Sequence, residues 1–170
     1  MLHEVSLAEF EGPLTELKQQ CSGKNGRERF EEFKLWLKGV VSGIFKCDMR
    51  KEGWTLLENV PRRLNSIIDG VSFLKGSETS TNGEEMVRRA RTEFNASYGQ
   101  EDAEWLLEHQ DKIPAELRKF YLVFPGTIWQ DSDGCRGIPC LGWRGGRWIL
   151  CFGWLGNGWY SGDRLVRPCK

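Results

Sequence analysis

The chain has 170 residues, of which 39% are hydrophobic and 12% aromatic, and its 24 basic and 24 acidic side chains give a formal net charge of zero. This hydrophobic content is enough to form a buried core, which excludes intrinsic disorder. A neutral chain has no overall attraction for nucleic acid or for a membrane surface. A chain of this length is expected to form one domain, or two small ones. No segment approaches the roughly 20 consecutive apolar residues that a membrane helix needs, so no membrane partner is expected.

Residues 1–118 are predicted to be a mainly helical portion. A capping box at residues 6–9 precedes Pro13, which is well placed as the first residue of a helix. The strongest helix follows Asn25, because the apolar residues between 30 and 44 keep the i, i+3, i+4 spacing of one buried stripe. The first residues have neither a basic nor an apolar leader region, so no secretory signal is expected and the protein is assigned to the cytoplasm.

Further helices are predicted along the second half of this portion. A helix over residues 61–69 is indicated by Pro61 at its start and Gly70 at its end. Residues 76–83 contain no large side chain and are predicted to be a mobile surface loop. Helices are then expected at residues 84–96 and 101–113. A short turn at residues 115–120 leads into a strand at residues 121–124.

Residues 119–170 are predicted to form an antiparallel β-meander, and the whole chain an α+β protein. Gly145-Gly146 gives the two-residue turn of a hairpin, which sets Trp143 opposite Trp148 and Leu141 opposite Leu150 on one apolar face. A second hairpin around residues 156–158 would place Trp159 on the same face as Trp154. With strands at residues 126–130 and 164–167, the helical portion would pack on a bent sheet or a small SH3-like barrel.

Catalytic chemistry has few candidates in this sequence. The chain has two histidines, His3 and His109, and it contains no hydrolase, phosphate-binding or dinucleotide-binding motif. His109 is interpreted as a solvated helix residue. Asp131-Ser132-Asp133-Gly134 resembles the start of a calcium loop but lacks the closing glutamate. We therefore expect no catalytic residue, no cofactor and no enzymatic activity of the protein's own.

The cysteines are the next candidates for chemistry. Structural zinc sites usually contain two close cysteine pairs, whereas only Cys135 and Cys140 are close among the four C-terminal cysteines. Cys151 and Cys169 stand alone. The sequence favours free, packed thiols in a reducing compartment over a metal site or a Cys140–Cys151 disulfide, although it leaves metal binding by these four residues open.

The remaining hypothesis is a binding function. Trp, Tyr and Arg are enriched at interface hot spots, and five tryptophans in so small a meander exceed what one face can readily bury. The candidate partner-binding residues are Trp159, Tyr160, Arg144, Arg147 and Arg164. They suggest a non-catalytic protein-interaction module, an adaptor or inhibitor of the kind that phages and mobile elements direct against host defence systems. The alternative is a nucleic-acid-binding protein that uses the Arg- and Trp-rich sheet, together with Arg88, Arg89 and Arg91.

Overall fold

The structure is a computed structural model, and it describes residues 43–64 and 67–169 together with five isolated residues nearer the N-terminus. The chain divides into two compact units, Met1–Val41 and Ser42–Lys170. The second unit contains nearly all of the described residues. The helices expected between residues 6 and 44 fall almost entirely outside the described residues.

The second unit combines α-helices and β-strands. Its two described α-helices are α1 (Gly83–Thr92) and α2 (Gln100–Glu108), and short 3₁₀ turns lie at Met49–Glu52, Gln110–Lys112 and Ala115–Lys119. The strands are β1 (Thr55–Asn59), β2 (Ile68–Val71), β3 (Ser80–Asn82), β4 (Tyr121–Val123), β5 (Thr127–Gln130), β6 (Arg136–Arg144), β7 (Arg147–Trp154), β8 (Gly158–Tyr160) and β9 (Asp163–Pro168).

Seven of these strands form one curled mixed sheet in the order β1-β5-β6-β4-β9-β2, with β7 paired to β6. Both β4 and β5 pair with β6 and together act as one interrupted strand. The pairing of β4 with β9 is parallel, and the other pairings are antiparallel. Within the described residues β1 and β2 do not pair with each other, so these pairings form a half-barrel. The mixed α+β class is confirmed, whereas closure into an SH3-like barrel is not shown.

The β6–β7 hairpin confirms the predicted register. Trp143 lies opposite Trp148 and Leu141 opposite Leu150. The turn residues Gly145 and Gly146 have φ angles of 57° and 79°. These positive values belong to the turn that matches the twist of two antiparallel strands, and glycine adopts them without steric cost.

Three expectations for the rest of the chain are wrong. Residues 61–64 are not helical, and Ile68 begins β2, which pairs with β9. The expected loop at residues 76–83 contains β3, which pairs with β8. Because β8 pairs with β3 and not with β7, the expected second hairpin does not form, and the C-terminal strands are not a simple antiparallel meander. In each case, pairing with a distant segment overrides the structure that the local sequence indicates.

The curled sheet carries a hydrophobic cluster on each of its two faces. Along β4, Leu122 contributes to a cluster beside α2, whereas the next residue, Val123, contributes to a cluster beside α1. The same alternation occurs in β9 at Leu165 and Val166. We call these the α1 face and the α2 face. The hydrophobic surface was expected on one face only, but a strand contributes side chains to both, and here each face carries its own cluster.

Gly126 lies where the chain approaches itself closely. Its N–H donates to the Tyr98 carbonyl oxygen at 2.9 Å, and its own carbonyl oxygen accepts from the Val60 N–H at 2.9 Å. A Cβ added at Gly126 would overlap the main chain of Ser97 and Tyr98, which cannot rotate away.

We expect Gly126→Ala to lower the free energy of unfolding by about 2–3 kcal/mol, because overpacking against fixed main chain displaces the backbone. Urea unfolding monitored by circular dichroism measures this change. Gly156→Ala is the matched control, because nothing lies within 4 Å of a Cβ at that position. Equal stability of the two variants would contradict the close approach.

Candidate functional site

A cleft of about 320 Å³ opens on the α1 face of the sheet. It combines aromatic, charged and small residues contributed by the β6–β7 hairpin and by the segments around β4, β8 and β9. Its lining residues are Tyr121, Cys140, Arg144, Cys151, Phe152, Gly153, Trp154, Asn157, Gly158, Trp159, Tyr160 and Asp163.

Two glycines on this face leave room for the aromatic rings of the cleft. The ring of Tyr121 packs against Gly142, and the ring of Trp159 packs against Gly153, so that a Cβ on either glycine would overlap a ring. Between these two contacts lies the cross-strand pair Cys140 and Cys151. The local sequence therefore sets the shape of the cleft, because each ring occupies the space that a missing side chain leaves.

Exposed aromatic and cationic side chains form the rim. Tyr160 is 57% exposed and Tyr121 is 40% exposed, whereas most of the large apolar residues that the structure describes are buried. The Arg144 guanidinium donates to the Tyr121 hydroxyl at 2.9 Å. This contact holds the cation beside one of the two exposed rings.

The interior of the cleft contains titratable groups whose pKa values are raised by burial. Burial raises the pKa of the Cys140 thiol well above its ordinary value and also raises that of Cys151. Both thiols therefore stay protonated at neutral pH, and the thiolate is the reactive form. Burial also raises the pKa of Asp163, whose carboxylate accepts the Tyr160 main-chain N–H at 2.9 Å. This bond fixes the segment that presents Tyr160.

The structure brings three of the five predicted partner-binding residues, Arg144, Trp159 and Tyr160, to this cleft. Trp159, however, is only 5% exposed and belongs to the cluster beside α1. It packs over Gly153, on the sheet face opposite the Trp154 side chain, so the expectation that it shares a face with Trp154 is wrong. Trp159 supports the cleft from within and presents little of its ring to a partner.

The other two predicted residues lie outside the cleft. Arg147 is exposed beyond the hairpin turn. Arg164 stacks its guanidinium over the Phe120 ring at 4.0 Å and donates to the Ser161 carbonyl oxygen. Sequence reasoning missed Tyr121, and the only signal in the sequence was its place at the first residue of the strand predicted at residues 121–124.

The remaining candidates from the sequence, His109 and Asp131, each contact main-chain groups of their own segment. His109 ends α2, where its Nδ1 lies 2.8 Å from the Trp105 carbonyl oxygen and its ring stacks on Trp105. It is therefore partly buried at a helix end, and the interpretation as a solvated helix residue is wrong. The Asp131 carboxylate accepts the main-chain N–H groups of Asp133 and Cys135 within its own turn.

The four C-terminal cysteines do not converge on a common point. Cys135 and Cys169 are exposed, whereas Cys140 is buried and Cys151 half-buried, and all four are free thiols. Across the described residues, no group of three or more His, Cys, Asp or Glu side chains is placed to hold a metal ion.

The arginine cluster on α1 is neutralised by carboxylates. Arg88 pairs with Glu85 and Glu93, and Arg91 pairs with Glu58. The third member, Arg89, is buried and pairs with Glu78 and with Glu85. Guanidinium groups held in this way are poorly available to phosphates.

Comparisons with protein families, with curated proteins and with solved structures found no match to this chain. Among the described residues, no helix has both the length and the apolar character needed to cross a membrane. The fold and the cleft are therefore the basis for a functional proposal.

Proposed function

We propose that this protein is a non-catalytic interaction module, an adaptor or inhibitor that binds a partner protein through the cleft on the α1 face. The observation that carries the proposal is the rim, where two exposed tyrosines and Arg144 surround a depression whose lining includes the buried Trp159. Tyrosine, tryptophan and arginine around a pocket are typical of interface hot spots. The proposal keeps the cytoplasmic location expected from the sequence, and a mobile-element inhibitor of host defence is one role of this kind.

The state of the cations favours a protein partner over nucleic acid. Binding to a nucleic-acid backbone requires several cations free to contact phosphates. The three arginines of α1 are paired with carboxylates, and Arg164 is stacked on Phe120. At the cleft itself, Arg144 is accompanied by Asp163, and its partner is an uncharged hydroxyl. The surface is thus mixed in charge and rich in aromatic area.

The chemistry of the cleft supports binding without catalysis. A nucleophilic cysteine needs a lowered pKa and an adjacent base, whereas burial raises the pKa of both cleft thiols. His109 is engaged at the end of α2 and does not line the cleft. The polar groups around the depression are therefore suited to holding a partner.

Affinity purification tests this function. Full-length protein is used as bait in a native lysate of its source cells, with nuclease treatment and moderate salt. We expect recovery of a specific protein, and we expect Tyr160→Ala to reduce that recovery about tenfold or more, the effect of losing a hot-spot side chain. Trp159→Ala is unsuitable for this test, because the ring is part of the core.

Ile67→Ala is the matched control, since Ile67 is 56% exposed but does not line the cleft. It should leave recovery unchanged. The proposal is wrong if nuclease abolishes recovery, or if the purified protein retards an oligonucleotide and Arg144→Ala with Arg147→Ala removes that shift. Equal losses for Tyr160→Ala and Ile67→Ala would also argue against the cleft as the binding surface.

A further inference from the structure

We infer that the partner is bound by strand addition: an extended segment of the partner pairs with the free outer edge of β7 and places alternate side chains in the cleft. This inference rests on the proposed function and specifies how recognition occurs. The partner segment contains an acidic residue close to the β6–β7 turn.

The edge of β7 is open because β7 pairs with β6 alone within the described residues. In an antiparallel hairpin with a two-residue turn, the closing pair exchanges main-chain hydrogen bonds, and every second pair does the same. The closing pair is Arg144 and Arg147, so the odd-numbered residues of β7 direct their N–H groups to β6. The even-numbered residues direct theirs outward.

One contact verifies this alternation independently. The Trp148 N–H is directed away from β6, since it donates to the Gln110 side-chain oxygen at 3.1 Å. The next two outward positions, Leu150 and Phe152, have no main-chain partner on that side among the described residues. An incoming strand could therefore pair at these two residues.

The composition of this edge is unusual for an unpaired strand. Natural sheet edges are protected by charged side chains, proline or bulges, because an exposed edge pairs readily with other chains. From Trp148 to Trp154 the strand has neither a charge nor a proline, and its eight pairs with β6 run without a register shift. A strand of this composition at an edge is one that another strand can extend.

The cleft is continuous with this edge. Phe152 and Trp154 line the cleft at the strand edge. Their positions in the alternation direct their side chains to the α2 face. There the centroid of the Trp54 ring lies 5.6 Å from that of Phe152 and 5.1 Å from that of Trp154. An added strand would therefore present one set of side chains to the cleft and the alternate set to this aromatic group. Main-chain pairing with pockets for alternate side chains is the usual form of strand addition.

Charge complementarity selects the partner segment. Arg144 and Arg147 lie at the turn end of the hairpin, and neither forms an ion pair among the described residues. In contrast, Arg88, Arg91 and Arg136 are each paired with a glutamate. An acidic residue of the added strand would pair with the two unneutralised cations.

The experiment uses the full chain and a displayed library of random 12-residue peptides. Selected peptides should be enriched in an acidic residue and a large apolar residue. In a scan of single N-methyl substitutions through a selected peptide, we expect affinity to fall about tenfold at alternate positions and to change little at the positions between them, because only every second N–H bonds to β7. Fluorescence anisotropy measures each affinity.

Amide hydrogen exchange followed by NMR gives a readout that needs no variant of β7. In the free protein, the N–H groups of Ile149 and Cys151 should be protected, and those of Leu150 and Phe152 should exchange rapidly. Peptide binding should protect Leu150 and Phe152. The peptide's acidic residue should matter in the wild type and lose its effect in the Arg144→Gln/Arg147→Gln variant, whereas Arg118→Gln, on a residue stacked over Trp143, should leave that effect intact.

Several outcomes would overturn the inference, and they separate it from the proposed function. If Tyr160→Ala abolishes binding but the N-methyl scan shows no alternation, the cleft binds a partner without strand addition. If the two outward amides are protected in the free monomer, the edge is already covered. Protection that appears with rising protein concentration alone would identify a second copy of the chain as the occupant. Failure to select any peptide would also count against strand addition.

Discussion

Replacing Asp102 with Ala is expected to lower the free energy of unfolding by about 3–5 kcal/mol. The carboxylate is fully buried, and it accepts three main-chain N–H groups, from Arg63 at 2.8 Å, from Leu64 at 2.7 Å and from Gly99 at 2.9 Å. The alanine variant would leave these donors without an acceptor, and an unsatisfied buried group costs about 1–3 kcal/mol. Urea unfolding at pH 7 measures the loss.

Asp111→Ala is the control for this substitution, because Asp111 is exposed and lies next to the same helix. It should change stability by less than about 0.5 kcal/mol. Asp102→Asn should fall between the two, since the amide keeps one oxygen but turns an NH₂ group toward donors. A small effect of Asp102→Ala would mean that the segment at residues 63–64 is not held to α2 through this carboxylate.

The charge state of Asp102 adds a dependence on pH. Burial raises its pKa in the folded protein above the ordinary 3.8. Between pH 3.8 and the higher pKa of the folded protein, the folded state binds more protons than the unfolded state. The contribution of Asp102 to stability therefore decreases as pH rises through that interval. At neutral pH the three main-chain donors offset part of the cost of burying the charge.

Replacing Arg89 with Met is also expected to lower the free energy of unfolding, by about 2 kcal/mol. Arg89 is 6% exposed, and its guanidinium joins α1 to Glu78 at 2.5 Å and to the Phe73 carbonyl oxygen at 2.9 Å. Methionine keeps the apolar stem but removes these contacts. The glutamates left behind can reach water, which keeps the loss below the 3–5 kcal/mol typical of a broken buried pair. Thermal and urea unfolding measure it.

Arg88→Met provides the matched control on the next residue of α1. The Arg88 side chain is 51% exposed and pairs with Glu85 and Glu93, and exposed pairs contribute at most about 1 kcal/mol. We therefore expect a smaller loss than for Arg89→Met. An equal loss for the two variants would show that burial of Arg89 does not matter.

Acid unfolding gives a second measure of the same group. Hydrogen bonds from Arg89 lower the pKa of Glu78 to about 2, and hydrogen bonds from Arg88 and Arg89 do the same for Glu85. Their contribution to stability is therefore complete above pH 4.5 and is lost as pH falls from 4.5 toward 2. Arg89→Met should flatten this part of the stability profile. A profile identical to that of the wild type would contradict the assignment.

The β6–β7 hairpin is the element that the sequence by itself determined. Gly145-Gly146 supplies the two positive φ angles of its turn, and the alternation of large side chains then fixes which residues face each other. The helices expected at residues 84–96 and 101–113 likewise correspond to α1 and α2, although these end earlier, at Thr92 and Glu108. These features depend on contacts between near neighbours, which a short stretch of sequence specifies.

The tertiary structure decided which distant strands pair and which side chains remain exposed. The spacing of Ile68 from Leu64 and Ile67 indicates a helix, but pairing with β9 makes Ile68 part of a strand. Trp159 and Tyr160 are adjacent in sequence, yet β8 turns one ring into the core and leaves the other on the rim of the cleft. The pairing of β8 with β3 sets that difference, because burial depends on what the rest of the chain brings to each face of the sheet.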